Sequence, residues 1–92
     1  MANIIRKHFV FYGRVQGVGF RYRARRAAEI AGVTGWVKNE YDGSVSMEIQ
    51  GTEEQIERVI TSIEKGTFID IEYMDVKNIP IDPEDYFFIT KG

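Results

Sequence analysis

The sequence predicts an α+β sandwich, with two helices packed on one face of an antiparallel sheet in the chain order βαββαβ. Three observations predict it. Residues 20–31 and 52–63 repeat their apolar side chains at helical spacing. Between them, Asp42-Gly43 is a hairpin signal with strand-like runs on either side. Further strand-like runs stand before the first helix and after the second, which makes the split βαβ order.

Taken in order, residues 7–15 read as the first strand. Phe9, Phe11 and Val15 share one face, and Val10 and Tyr12 the other, as expected of an interior strand. The first helix, residues 20–31, has a narrow packing stripe of Phe20, Ala24, Ala27, Ala28 and Ala31, with Gly32 as its stop. Arg25 and Glu29 stand four apart on another side and can pair. Residues 35–39 read as a strand and 40–43 as a turn. Residues 44–50 alternate, with Val45, Met47 and Ile49 toward the core and Ser44, Ser46, Glu48 and Gln50 toward water. Thr52-Glu53-Glu54-Gln55 is a capping box, and Ile56, Val59, Ile60 and Ile63 form the stripe of the second helix. A strand at 71–79 ends at Pro80, a loop covers 81–85, and a short last strand is expected at 86–89.

The 92 residues are read as one domain, 1–92, with one modest core. Repeats, low-complexity runs and linkers are not seen. The chain has no cysteine, which removes a disulfide framework, a thiolate metal site and a cysteine nucleophile. A reducing cytoplasm is the expected compartment. The start, Met1 to Lys7, carries no leader pattern, and no apolar run is long enough to span a membrane. The net charge of −2 hides an asymmetry: residues 1–39 hold eight Lys/Arg and one acid, while residues 40–92 hold four Lys/Arg and thirteen acids. A small anion is drawn to the basic half.

That half contains Gly13-Arg14-Val15-Gln16-Gly17-Val18-Gly19-Phe20-Arg21, a glycine loop feeding a helix start. The first amides of a helix lack intrahelical acceptors and carry the positive end of its dipole. No Ser, Thr, Asp or Asn stands where this helix needs a cap, whereas the second helix satisfies its own end. The loop therefore reads as an anion cradle, with Arg21 adding a forked cation suited to phosphate. Taken alone, such a loop could equally be a tight connection with no ligand.

The remaining inventory narrows the chemistry. The Lys-Ser/Thr ending of a nucleotide loop is missing, as is an acidic or histidine cluster for a metal pair. Phosphoryl transfer to water then needs a leaving group that departs unprotonated. A carboxylate, with a pKa of roughly 4, does so. The lone His8 is read as structural, and Trp36, Tyr41 and Tyr12 as packing or rim aromatics.

GRVQGVGFR at 13–21 followed by GWVKNEYDGSV at 35–45 resembles the acylphosphatase family, and the resemblance covers essentially the whole chain. It implies the ferredoxin-like α/β sandwich and the hydrolysis of acyl phosphates to a carboxylate and inorganic phosphate, without metal or cofactor. It implies that the amides of Gln16, Gly17, Val18, Gly19 and Phe20 bind phosphate, that Arg21 clamps it, and that Asn39 positions the attacking water. The partners implied are the small acyl phosphate and its phosphate product, with neither nucleic acid nor membrane, and a monomer is expected. Two other classes compete with this reading. An RNA-binding module would place Gly19-Phe20-Arg21-Tyr22 on a central strand, but these residues open a helix, and 44–50 lacks an outward aromatic. A non-catalytic phosphate binder would not need both Arg21 and Asn39.

Overall fold

The structure, a computed structural model, describes residues 3–92. Met1 and Ala2, part of the start read above for a leader, lie outside the described residues. The elements are β1 (Ile5–Arg14), α1 (Phe20–Ala31), β2 (Thr34–Asn39), β3 (Val45–Gly51), α2 (Glu53–Glu64), β4 (Asp70–Ile79) and β5 (Phe88–Lys91). They form a five-stranded sheet in the order β4-β1-β3-β2-β5. Strands β1 to β4 pair antiparallel, and β5 joins the outer edge parallel to β2.

Both helices lie on one face of this sheet. The core between the layers is built from the period-two residues that the alternation marks, Phe9, Phe11, Val45, Met47 and Ile49, all buried, and from Val37 of β2 beside them. From above, Ala24, Ala27 and Ala28 bring α1 close, and Ile56, Val59 and Ile63 bring down α2. Small alanines let the α1 backbone approach the sheet; the branched side chains of α2 fill the wider space beside it. Gly32 closes α1 in the left-handed region, its N–H donating to Ala28 O.

Two strand expectations change. The last strand starts two residues later than read, at Phe88, and Tyr86 and Phe87 stay exposed in the preceding loop. Pairing sets this boundary: Phe88 is opposite Gly35 near the start of β2, and Gly35 N donates to Phe87 O. Local preference for strand in Tyr-Phe-Phe-Ile does not decide where a partner begins. The second change concerns Ser44 and Ser46, read as facing water but buried. The 40–43 turn folds over them. The Ser46 hydroxyl donates to the Glu40 carboxylate and the Ser44 hydroxyl to Asp42. A buried hydroxyl is tolerated when it is bonded, and both are.

The 80–87 connection must carry the chain from one sheet edge to the other. It passes the ends of β1 and β3 and is pinned there by Arg6, which is only 6% exposed. Arg6 Nη1 donates to Asp85 Oδ2 at 2.7 Å, and its other nitrogens donate to Glu48 at 3.2–3.3 Å. Burial disfavours the guanidinium charge, but hydrogen bonds and charge from Asp85 and Glu48 outweigh it and hold the pKa above the ordinary value. Gln50 fastens the same crossing by exchanging two hydrogen bonds with the Asp82 backbone.

Candidate active site

The loop between β1 and α1 is held at both ends. At its far end, Phe20 drives its ring into the core against Phe11, with centroids 4.9 Å apart. Burying a phenylalanine contributes about 2 kcal/mol, more than the ~1 kcal/mol of a typical helix cap. Core packing thus fixes the start of α1 without a capping side chain. At the near end, the Gln16 carboxamide donates to Glu40 O at 2.7 Å and to Ser44 O at 2.9 Å. These two bonds tie the loop to the β2–β3 turn, immediately beyond Asn39.

Between these anchors the backbone turns through Gly17 (φ 71°) and Gly19 (φ 79°). An L side chain rarely adopts these angles. A Cβ placed on either glycine would meet nothing within 4 Å, so conformation rather than crowding demands glycine here, and the loop opens to free space. Gly19 is the N-cap residue of α1 and makes no side-chain cap. The first helical bond runs from Arg23 N to Gly19 O at 3.0 Å. The amides of Phe20, Arg21 and Tyr22 therefore precede the first intrahelical acceptor. This is the arrangement that favours an anion.

Each residue singled out in the sequence has a definite place. Gly17 and Gly19 are exposed, Val18 packs partly against the core, and the Phe20 side chain is buried, so Phe20 can serve a ligand only through its amide. The Gln16 side chain is occupied by its two carbonyls, which leaves its backbone for the cradle. Arg21, in the first turn of α1, donates from Nη1 to Lys91 O at 3.0 Å and to Gly92 O at 2.7 Å. Both bonds use one terminal nitrogen, so Nη2 and Nε remain for another acceptor. Asn39 ends β2, half-buried and in register with Val45. A Cβ built on Gly92 would lie 3.6 Å from Asn39 O. The residue that engages Arg21 is thus also a neighbour of Asn39. The Gln16 bond to Glu40 O brings the loop to Asn39 from the other direction.

Two of these ties have no signal in the sequence. Arg21 meets carbonyls some 70 positions away, and Gln16 reaches across 24 and 28. The turn itself is legible: Asp42 Oδ1 accepts from Ser44 N at 2.9 Å and from Ser44 Oγ at 2.6 Å, and Gly43 has φ 94°. Those bonds, the hydroxyl's first, hold the Asp42 carboxyl below its ordinary pKa.

A split βαβ sandwich with an uncapped, glycine-fed helix start and an arginine in the first turn of that helix is the kind of small domain suited to holding an anion such as a phosphoryl group. The acylphosphatase family model matches residues 7–89, and the chain belongs to that family. It is 44% identical to an acylphosphatase of Geobacillus kaustophilus over 80 residues, 87% of this chain and 81% of the relative. It is 39% identical to one of Clostridium perfringens over 88 residues, 95% and 99% of the two chains. Among solved structures, an acylphosphatase from Bacillus subtilis superposes with a TM-score of 0.87 at 28% identity, covering 96% of this chain and 99% of that one. This chain is accordingly a hydrolase of acyl phosphates.

Proposed function

We propose that the phosphoryl group sits on the amides of residues 16–20, that Arg21 clamps it, and that Asn39 positions the water that attacks it. The observation carrying this reading is the start of α1: left-handed Gly17 and Gly19, no cap, and open space above. Backbone donors and a guanidinium are suited to the negative charge spread over the phosphoryl oxygens during transfer. The Asn39 amide accepts one hydrogen bond from water and so orients it; it is too weak a base to take the proton. None is needed. Water adds to phosphorus, the phosphorus–oxygen bond to the acyl group breaks, and the electron pair leaves on a carboxylate. The products are the carboxylate and dihydrogen phosphate.

A free acyl phosphate is the substrate of this reading, with the chain acting as a single cytoplasmic domain and a monomer, apart from nucleic acid. No helix among the described residues is long and apolar enough to cross a membrane.

The test is hydrolysis of benzoyl phosphate with a chelator present, and p-nitrophenyl phosphate as the poor comparison substrate. Arg21→Ala lowers kcat/KM about 10²–10³-fold, the cost of losing a charge-stabilising donor, and weakens inhibition by inorganic phosphate. Asn39→Ala loses turnover to a similar extent and keeps phosphate inhibition. Full turnover in Asn39→Ala would remove the water-holding role.

A further inference from the structure

The loop has two flanks, and only one is used by the chemistry above. Gln16 faces the turn that follows Asn39. At the other end, Val18 and Gly19 border a groove of about 410 Å³ between α1 and the segment joining α2 to β4. Its walls include Tyr22 and Phe68, which are 72% and 69% exposed, so both rings are open to a ligand in the groove. Its cations are Arg23 and Arg26.

This groove is built rather than incidental. Arg23 Nε donates to Ser62 O at 2.6 Å, which fixes the guanidinium against α2. The Arg23 stem and Ile69 close on Gly66 so tightly that a Cβ there would meet Ile69 Cδ1 at 2.7 Å and Arg23 Cδ at 3.1 Å. Arg26 is exposed and, among the described residues, has no ion pair, whereas Arg25 one position away pairs with Glu29.

We propose that this groove takes the acyl half of the substrate, and that it favours a flat apolar acyl group carrying a second negative charge. The inference rests on the phosphoryl site described above. In-line transfer puts the attacking water and the leaving oxygen on opposite sides of phosphorus. With water held on the Asn39 side, the leaving carboxylate departs toward Val18 and Gly19. Tyr22 and Phe68 there supply faces for a ring or a short apolar chain. Arg26, with Arg23 behind it, supplies the charge partner for an anion at the far end.

Three substrates separate the parts. Acetyl phosphate is too short to enter the groove, benzoyl phosphate reaches its aromatic walls, and 4-carboxybenzoyl phosphate adds the anion. Phe68→Ala lowers kcat/KM about five- to tenfold for both aromatic substrates and leaves acetyl phosphate unchanged. Arg26→Glu lowers it by about the same factor for 4-carboxybenzoyl phosphate alone. Equal effects of either variant on all three substrates, or no effect on any, would overturn the groove assignment. Arg21→Ala run beside them tests the phosphoryl site separately: it suppresses all three substrates alike, and if it leaves all three untouched the phosphoryl reading itself fails.

Discussion

At the start of α2 the Thr52 hydroxyl accepts from Gln55 N at 3.1 Å, and the Gln55 carboxamide accepts from Thr52 N at 2.8 Å. Glu53 and Glu54 add negative charge to the same turn. At the start of α1 a left-handed glycine stands in the cap position, with no side-chain bond and no acid in the first turn. The two helices are equally long, at 12 residues each. One meets the demands of its dipole with its own side chains. The other meets them with nothing of its own and is held in place by Phe20 beneath it. A helix end can be stabilised by a cap or by packing, and only the second choice leaves amides free for a ligand. An αL cap residue reinforces this, because side-chain capping calls for an extended backbone.

Of the changes at the two helix ends, the larger effect should come from putting a charge on the open one. Gly19→Asp places a carboxylate at the cap position of α1, where it repels a phosphoryl group. Strain at positive φ costs about 1 kcal/mol, which the fold survives. We expect kcat/KM on benzoyl phosphate to fall about 10²-fold or more with only a modest drop in Tm. Gly19→Asn carries similar strain without the charge and should retain most of the activity. Equal activity in the two variants would mean that the end of α1 does not face the phosphoryl group.

The converse change belongs to the satisfied end. Thr52→Ala removes the hydroxyl that accepts from Gln55 N. It should cost about 1 kcal/mol of stability, which for a domain of this size lowers Tm by roughly 4–8 °C. The kcat on benzoyl phosphate at 25 °C should not change. A thermal melt and an initial-rate assay on the same preparation check both halves. A loss of activity without loss of stability would break the division of labour between the two helix ends.

How much of this was legible beforehand follows the reach of each interaction. The capping box closes over three residues, the Asp42-Gly43 turn over two, and the glycine loop lies within one short stretch. All three can be read from neighbouring letters. The helix order and the core stripes are also local patterns. What escaped is set across the sheet. Ser44 and Ser46 are the exception in reach: they look solvent-facing by alternation, yet turn side chains two and six residues earlier cover them. The start of β5 follows the position of Gly35, more than fifty residues upstream. Arg21 could be singled out as a cation, but not its grip on Lys91 and Gly92. The residues of the candidate site can be named from the sequence; the contacts that gather them are long-range and depend on the finished fold.

The smallest effect concerns the turn that anchors the near end of the loop. Gln16 bonds to the carbonyls of Glu40 and Ser44, so the loop is only as firm as that turn. Asp42 holds the turn, and the Ser44 hydroxyl and amide lower its pKa in the fold. A depressed carboxylate pKa stabilises the folded state above the unfolded value, roughly pH 4. That contribution is lost as pH falls further, through the lower folded value. Asp42→Asn should therefore be somewhat less stable than the unchanged protein at neutral pH, and the gap should close as the pH falls below the ordinary carboxylate range and through the lowered folded value. Because Asp42 is exposed, the gap should be small. Paired thermal melts from pH 7 down to pH 2.5 measure it. A gap that stays constant with pH would assign the role of Asp42 to its shape rather than its charge. The uncapped end of α1 would then owe its near anchor to turn geometry alone.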